Sequence, residues 1–194
     1  MGEPGTKDTL SLEELEAAAS LRTGRKHVLS ILVENKSGVL TRIAGLFARR
    51  GFNIDTLTVG PTEDEQVSRV TLTVDGALHP IDQVTKQLHK LINVLKVIEL
   101  EPTASVVREL MLIKVHAEPQ TRSQVFELAE VFRANIVDVT TDSVTAEVSG
   151  PPEKIAAFED LVRSYGIIEL VKTGRIALGR GERGIKDRQL RAAV

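Results

Sequence analysis

The sequence carries the same pattern twice. Moving 82 positions along the chain sets Val28 on Leu110, Ile31 on Ile113, Val33 on Val115, Ile43 on Val125, Leu46 on Leu128, and Asn53-Ile54 on Asn135-Ile136. Few identities survive, but the order of apolar runs and helical periodicities is kept. A repeat of this period is one supersecondary unit used twice. The chain is thereby constrained to two similar halves, with a boundary near 102–105 where Pro102 and Thr103 interrupt the pattern.

Each half reads as strand, helix, two strands, helix and strand. Residues 28–33 form a short apolar run suited to a buried strand. Val39, Leu40, Ile43, Ala44, Leu46 and Phe47 then recur at helical spacing, and Gly51 suits a left-handed helix end. Residues 52–59 return to strand, and Pro61-Thr62-Glu63-Asp64 marks a turn. In 67–74, Val70, Leu72 and Val74 alternate with Arg69, Thr71 and Thr73, the pattern of a half-buried strand. Asp75-Gly76 ends it and Pro80 suits a first helical turn. Ile81, Val84, Leu88, Leu91, Ile92 and Leu95 predict a long helix before a last strand at 96–100. The second half repeats the series with a shorter hairpin. Pro151-Pro152 opens its second helix, 167–171 is its last strand, and 175–178 is expected to extend that strand.

This order is the ferredoxin-like βαββαβ arrangement, two helices on one face of a four-stranded antiparallel sheet. The expected fold class is α+β, with two such domains at 26–102 and 103–179, followed by a basic tail at 180–194. Residues 1–25 are expected to be a flexible extension. The alternative there is a short docked helix, since Ser11 and Glu14 have capping-box spacing.

Composition removes several function classes. With 25 basic and 27 acidic residues the net charge is −2, so no global field attracts nucleic acid or an anionic membrane. Five Phe, one Tyr and no Trp leave little for stacking bases. The absence of cysteine removes disulfides, thiolate nucleophiles and Cys-containing zinc sites, and fits a reducing cytosol. No stretch approaches the roughly 20 apolar residues of a membrane span. The N-terminus has neither a secretory nor a transit-peptide pattern, so a cytoplasmic protein is expected. The sequon Asn35-Lys36-Ser37 is then read as chance.

Chemistry concentrates at the opening loop of the first half. Glu34-Asn35-Lys36-Ser37-Gly38 ends with small polar residues just before a helix. A helix start offers unpaired N–H groups and a positive dipole end, which suit a carboxylate. Gly38 allows a ligand near the backbone. Asn35 can donate and accept, serving an ammonium and a carboxylate alike. Asn53 opens the next strand and is expected close to this loop. The second half has His116-Ala117-Glu118-Pro119-Gln120 instead, which suits an anion badly. On spacing alone, an ordinary turn with Ser37 capping the helix is the favoured reading.

Other motifs carry less. Gly179-Arg180-Gly181-Glu182-Arg183-Gly184 spells GxGxxG, but the dinucleotide fingerprint also needs a following helix within a βαβ unit. Arg175, Arg180, Arg183, Arg188 and Arg191 read as a solvated basic tail before a partner contact. His27, His79, His89 and His116 sit on different elements without metal-ligand spacing, and no catalytic set can be nominated.

The stretch 29–40, ending Asn35-Lys36-Ser37-Gly38-Val39-Leu40, together with Gly45-Leu46-Phe47 and Arg50-Gly51-Phe52-Asn53-Ile54, resembles an ACT domain. More narrowly it is similar to the regulatory small subunits of acetohydroxyacid synthase (acetolactate synthase). Further segments keep the likeness collinear over about 27–184, including Ser68-Arg69, Arg108-Glu109-Leu110 and Phe132-Arg133-Ala134-Asn135-Ile136. The resemblance implies a non-catalytic regulatory subunit with no cofactor of its own. Its catalytic large subunit would hold thiamine diphosphate, a divalent metal (Mg) and FAD, and would join two 2-keto acids with loss of CO2. The small subunit would activate that partner, confer feedback inhibition by valine or another branched-chain amino acid, and form a homodimer through its ACT domains. Matched position by position, the family's effector site falls on Asn35, Lys36, Ser37, Gly38, Val39 and Leu40, with Asn53 and Ile54 from the adjoining strand. N–H groups near Gly38 to Leu40 would hold the carboxylate. Asn35 and Asn53 would make polar contacts, and Leu40 and Ile54 would meet the apolar side chain. A stand-alone amino-acid-binding ACT regulator is the alternative, and a ferredoxin-like RNA-binding protein, weakened by the few aromatics, comes after it.

Overall fold

The computed structural model describes residues 26–75, 81–182 and 184–185. The capping box read at Ser11 and Glu14, Gly76, His79, Pro80, and Arg183, Arg188 and Arg191 lie outside these residues.

The first half comprises β1 (Lys26–Glu34), α1 (Val39–Arg50), β2 (Ile54–Pro61), β3 (Val67–Asp75), α2 (Ile81–Leu88) and β4 (Val94–Leu100). Its antiparallel sheet has the order β2-β3-β1-β4. The second half comprises β5 (Ser105–His116), α3 (Arg122–Val131), β6 (Asn135–Val139), β7 (Ser143–Gly150), α4 (Pro152–Val162) and β8 (Ile167–Lys172), with sheet order β6-β7-β5-β8. The two orders are the same. The likeness reaches the irregularities: register shifts fall between Leu32/Val33 and Ile54/Thr56 in one half, and between Lys114/Val115 and Ile136/Asp138 in the other. Each pair of bulges is again 82 positions apart. Bulges set local twist and strand bending, so the two copies share sheet curvature as well as topology.

Both cores follow from the two periods. From β1, Leu29, Ile31 and Val33 point to the helix side, where α1 buries Val39, Ile43, Leu46 and Phe47. In the second half Met111, Ile113 and Val115 meet Ile155, Phe158 and Val162 of α4. Side chains of this size contribute about 1.5–3 kcal/mol each when fully buried. Gly51 closes α1 at φ 67, with its N–H donating to the last-turn carbonyls, as the helix-end reading expected.

Three boundaries differ from the sequence reading. The helix read through Leu95 ends at Leu88, and Ile92 is 86% exposed. Strand pairing overrides helical periodicity there, because Val94 is opposite Val33 and the Glu34 N–H donates to the Asn93 carbonyl at 2.9 Å. β2 runs on to Pro61, which an edge strand tolerates. Residues 176–179 form a separate strand, β9 (Ile176–Gly179), instead of extending β8. β5 is long enough to serve three partners: its C-terminal part pairs β7 and β8 while Ser105–Arg108 pair β9.

β9 joins the halves. Ala177 packs with Val28 and Leu100 on the face of the first sheet away from its helices. Between β8 and β9 the backbone at Gly174 comes so close to β2 that a Cβ there would lie 2.2 Å from Thr58 Oγ1 and 2.9 Å from the Leu57 carbonyl. That face of the first sheet is therefore covered, with Ser30 and Thr73 fully buried, whereas Leu112 and Val171 stay exposed on the second sheet.

Candidate functional site

The loop between β1 and α1 is a left-handed entry into a helix. Gly38 occupies the N-cap at φ 83 and ψ −5, and no side chain caps the first turn. Ser37 is thus not the capping residue that the turn reading expected. Leu40 and Thr41 present first-turn N–H groups that a helix cannot satisfy internally. A Cβ at Gly38 would meet nothing within 4 Å, so the space above the glycine is open. Asn35, Lys36, Ser37 and Gly38 are exposed, Val39 anchors the turn in the core, and Leu40 is 43% exposed beside them.

Residues distant in sequence hold this loop. The Asn35 N–H donates to the Gln66 carbonyl at 2.7 Å and its Nδ2 to the Glu65 carbonyl at 2.9 Å, tying the loop to the β2–β3 hairpin. Arg42 donates to Asn93 Oδ1 at 2.8 Å, Asn93 donates to Glu34 Oε2 at 2.6 Å, and Lys36 lies 3.2 Å from the same carboxylate oxygen. The Asn93 amide, followed by the Lys36 ammonium, holds the Glu34 carboxyl below its ordinary range. Its pKa is lower folded than unfolded. Its stabilisation is therefore present above the unfolded value and lost as pH falls through the folded one. Glu34→Gln should lower the melting temperature slightly at neutral pH and meet the parent's in acid, which flattens the acid limb of the profile. Asn93 and Arg42 escaped the sequence reading, because Asn93 reaches Glu34 across 59 positions and nothing local marks it.

The structure brings Asn35 to Leu40 together but separates them from Asn53 and Ile54. Asn35 sits at the end of the sheet where Glu34 pairs Val67, whereas Ile54 pairs Val74 at the end where Lys26 pairs Asp75. The expected proximity within one chain is thus corrected. The 12 residues of α1 carry the chain back along the sheet before β2 starts, a run of roughly 18 Å. Asn53 donates to Asp55 at 3.1 Å, and Asp55 pairs with Lys26 at 3.3 Å.

The equivalent loop of the second half is built differently. Arg122, in the place of Leu40, donates to the carbonyls of Ala117 at 3.2 Å and Thr140 at 3.0 Å, and also to that of Thr141. Ala117 is fully buried, and Thr121 opens α3 with right-handed backbone in place of the left-handed glycine. A guanidinium therefore ties this loop to the β6–β7 hairpin through carbonyl oxygens, a role that Asn35 plays in the first half.

Elsewhere the motifs lack the context their chemistry needs. Gly179 ends β9, and the described residues of 180–185 form no helix, so among them the GxGxxG string lacks the context of a dinucleotide fingerprint. His27 pairs with Glu99, and among the described residues no cluster of His, Cys, Asp or Glu is placed to hold a metal. No helix among them is long and apolar enough to cross a membrane. A cavity of about 510 Å³ between β2–β3 and the β5–β9 ribbon has no counterpart in the sequence reading, because residues from both halves line it.

A four-stranded sheet and a like-ordered sheet with β9 as its fifth strand, each with its helices on one face and the first with an open glycine-led loop, define a pair of ACT-type domains. The AHAS small subunit-like ACT domain family matches residues 29–96, and the family described as the small subunit of acetolactate synthase matches 108–181. The probable acetolactate synthase small subunit of Archaeoglobus fulgidus is 54% identical over 158 residues, which cover 81% of this chain and 99% of that protein. The acetolactate synthase small subunit of Mycolicibacterium smegmatis is 51% identical over 82% of this chain and 94% of that protein. The crystal structure of the Thermotoga maritima acetolactate synthase small subunit superposes with a TM-score of 0.76 at 39% identity, covering 82% of this chain and 99% of that one. The chain belongs to the family of acetolactate synthase small subunits.

Proposed function

We propose that the chain is the regulatory, non-catalytic subunit of an acetolactate synthase. It binds the thiamine-diphosphate-dependent catalytic subunit, raises its activity and makes it sensitive to valine at the head of branched-chain amino-acid synthesis. Thiamine diphosphate, the divalent metal and FAD belong to the catalytic subunit in this reading. The observation that carries the effector part is the contrast between the two loops: Gly38 opens the first in left-handed backbone with free space above it, whereas the second opens at Thr121 in right-handed backbone and is held by Arg122.

The open loop matches an α-amino acid group by group. First-turn N–H groups and the helix dipole take the carboxylate. Asn35 spends its Nδ2 on Glu65, so its Oδ1 is left to accept from the ammonium. Leu40 supplies apolar surface beside them. Asn53 and Ile54 lie at the far end of the same sheet, so they can reach this ligand only from a second copy. β2 is an edge strand, and pairing two copies antiparallel along it sets the Ile54 end of one beside the Pro61 end of the other. The effector site is accordingly read as shared across a homodimer.

Effector and catalytic centre are then coupled through the subunit arrangement that valine favours. A coupling of about 1–3 kcal/mol shifts affinity or populations by roughly 5–150-fold, enough for feedback. The test combines the purified chain with its catalytic partner and follows acetolactate formation with and without valine. Activation together with inhibition by added valine is expected. A partner whose rate responds to neither would refute the proposal.

A further inference from the structure

A second cavity, of about 370 Å³, opens where the two halves meet. Lys26 from β1, Arg108 from β5, and Arg175 and Arg180 from either side of β9 line it, against one lining carboxylate, Glu153. Two of these cations are already matched: Lys26 by Asp55 at 3.3 Å and Arg175 by Glu109 at 2.9 Å. Arg108 and Arg180 are not. Arg108 donates to the Val107 carbonyl and Arg180 Nε to the Ser105 carbonyl, and neither forms an ion pair among the described residues. The chain has a net charge of −2, so this local excess of positive charge is no by-product of a basic composition. Gathering like charges around one cavity is unfavourable unless an anion joins them. Pro151 and Pro152, which open α4 without a side-chain cap, form another wall, so the positive end of that helix adds to the same field.

We propose that this cavity binds a compact polyanion of the di- or triphosphate class, held chiefly by Arg108 and Arg180. Guanidinium groups suit such a ligand, because their planar donors pair with phosphate oxygens two at a time. The cavity draws its walls from both halves and from the β9 connection, so the bound anion bridges the halves. It is separate from the glycine-led loop and does not depend on the regulatory reading. The lining shares no residue with Asn35 to Leu40.

Calorimetric titration of the full chain with inorganic pyrophosphate at low ionic strength tests the proposal, with orthophosphate as comparison. Saturable pyrophosphate binding tighter than orthophosphate binding is expected, and it should weaken with added salt. Arg108→Gln combined with Arg180→Gln should weaken it by about a hundredfold, since each charge-assisted contact is worth about tenfold. Both side chains are exposed, so the melting temperature without ligand should hardly move and confirms that the variant folds. Glu153→Gln should act in the opposite sense and tighten binding, a result that a purely structural role for the cluster does not produce. No saturable heat, or an affinity that neither variant alters, overturns the proposal. Valine plays no part in the measurement, so its outcome and that of the reconstitution assay are read separately.

Discussion

Gly38→Asp should abolish valine inhibition of the reconstituted enzyme while leaving activation by this subunit largely intact. Two effects separate cleanly at this position. The first is backbone strain: any side chain must adopt φ 83, which costs on the order of 1 kcal/mol and less for Asp or Asn than for other residues. Nothing else resists the substitution, because the space around the added Cβ is empty. The second effect is charge. On the proposed reading the new carboxylate stands where the effector carboxylate binds, and would repel it by about 1–4 kcal/mol at 4 Å, between water-like and surface-like screening. That is roughly five- to several-hundred-fold in affinity. Gly38→Asn carries the same strain without the charge and should retain much of the inhibition. Equal loss in Asp and Asn variants would assign Gly38 to the loop's shape instead of to the ligand, and loss of activation in both would assign it to the subunit contact.

Mixing two valine-insensitive variants should restore part of the inhibition. Gly38→Asp disables the loop half of the site and Asn53→Ala disables the other half. Within one chain these halves are separated along the sheet by the length of β2, roughly 23 Å over its seven residue steps. If each site takes its loop from one copy and Asn53 from the other, a mixed dimer of the two variants carries one doubly disabled site and one intact site. If both halves came from the same chain, no mixed dimer would hold an intact site. The experiment co-refolds or co-expresses the two variants, reconstitutes the enzyme, and compares valine titration with that of each variant alone. Recovered inhibition supports the shared site; a mixture as insensitive as its components removes Asn53 from it.

Much of this arrangement could be read before any coordinates. The spacing of Val39, Ile43, Leu46 and Phe47 and the strand at 67–74 report on one element at a time, and the structure keeps both elements. The strand is not half-buried as its alternation suggests, because Thr71 and Thr73 are also buried, on the face that β9 and Gly174 cover. The glycine-led loop was legible for the same reason, since Asn35 to Leu40 are contiguous. Helical spacing misled after Leu88, because Leu91, Ile92 and Leu95 fit the helical period although Val94–Leu100 pair with β1. Periodicity cannot weigh a ladder of hydrogen bonds to a strand sixty residues earlier.

Position within the fold was the harder matter. The order βαβ already implies that β2 begins at the opposite end of the sheet from where β1 stops, yet adjacency in sequence made Asn53 look close to Asn35. The Asn93 bridge, the β9 connection and the cationic cavity at the domain junction were hidden because each joins residues far apart in the chain. The sequence by itself determined that there are two copies of one unit, which face of each element meets the core, and that only the first retains a glycine-led loop. Tertiary structure alone decided that Arg122 ties the second loop to its hairpin, that Asn53 lies at the far end of the sheet from the first loop, and that Arg108 and Arg180 share one cavity. Side-chain patterns encode which face each element buries, whereas distances between elements emerge only once strand pairing and helix length bring the chain back on itself.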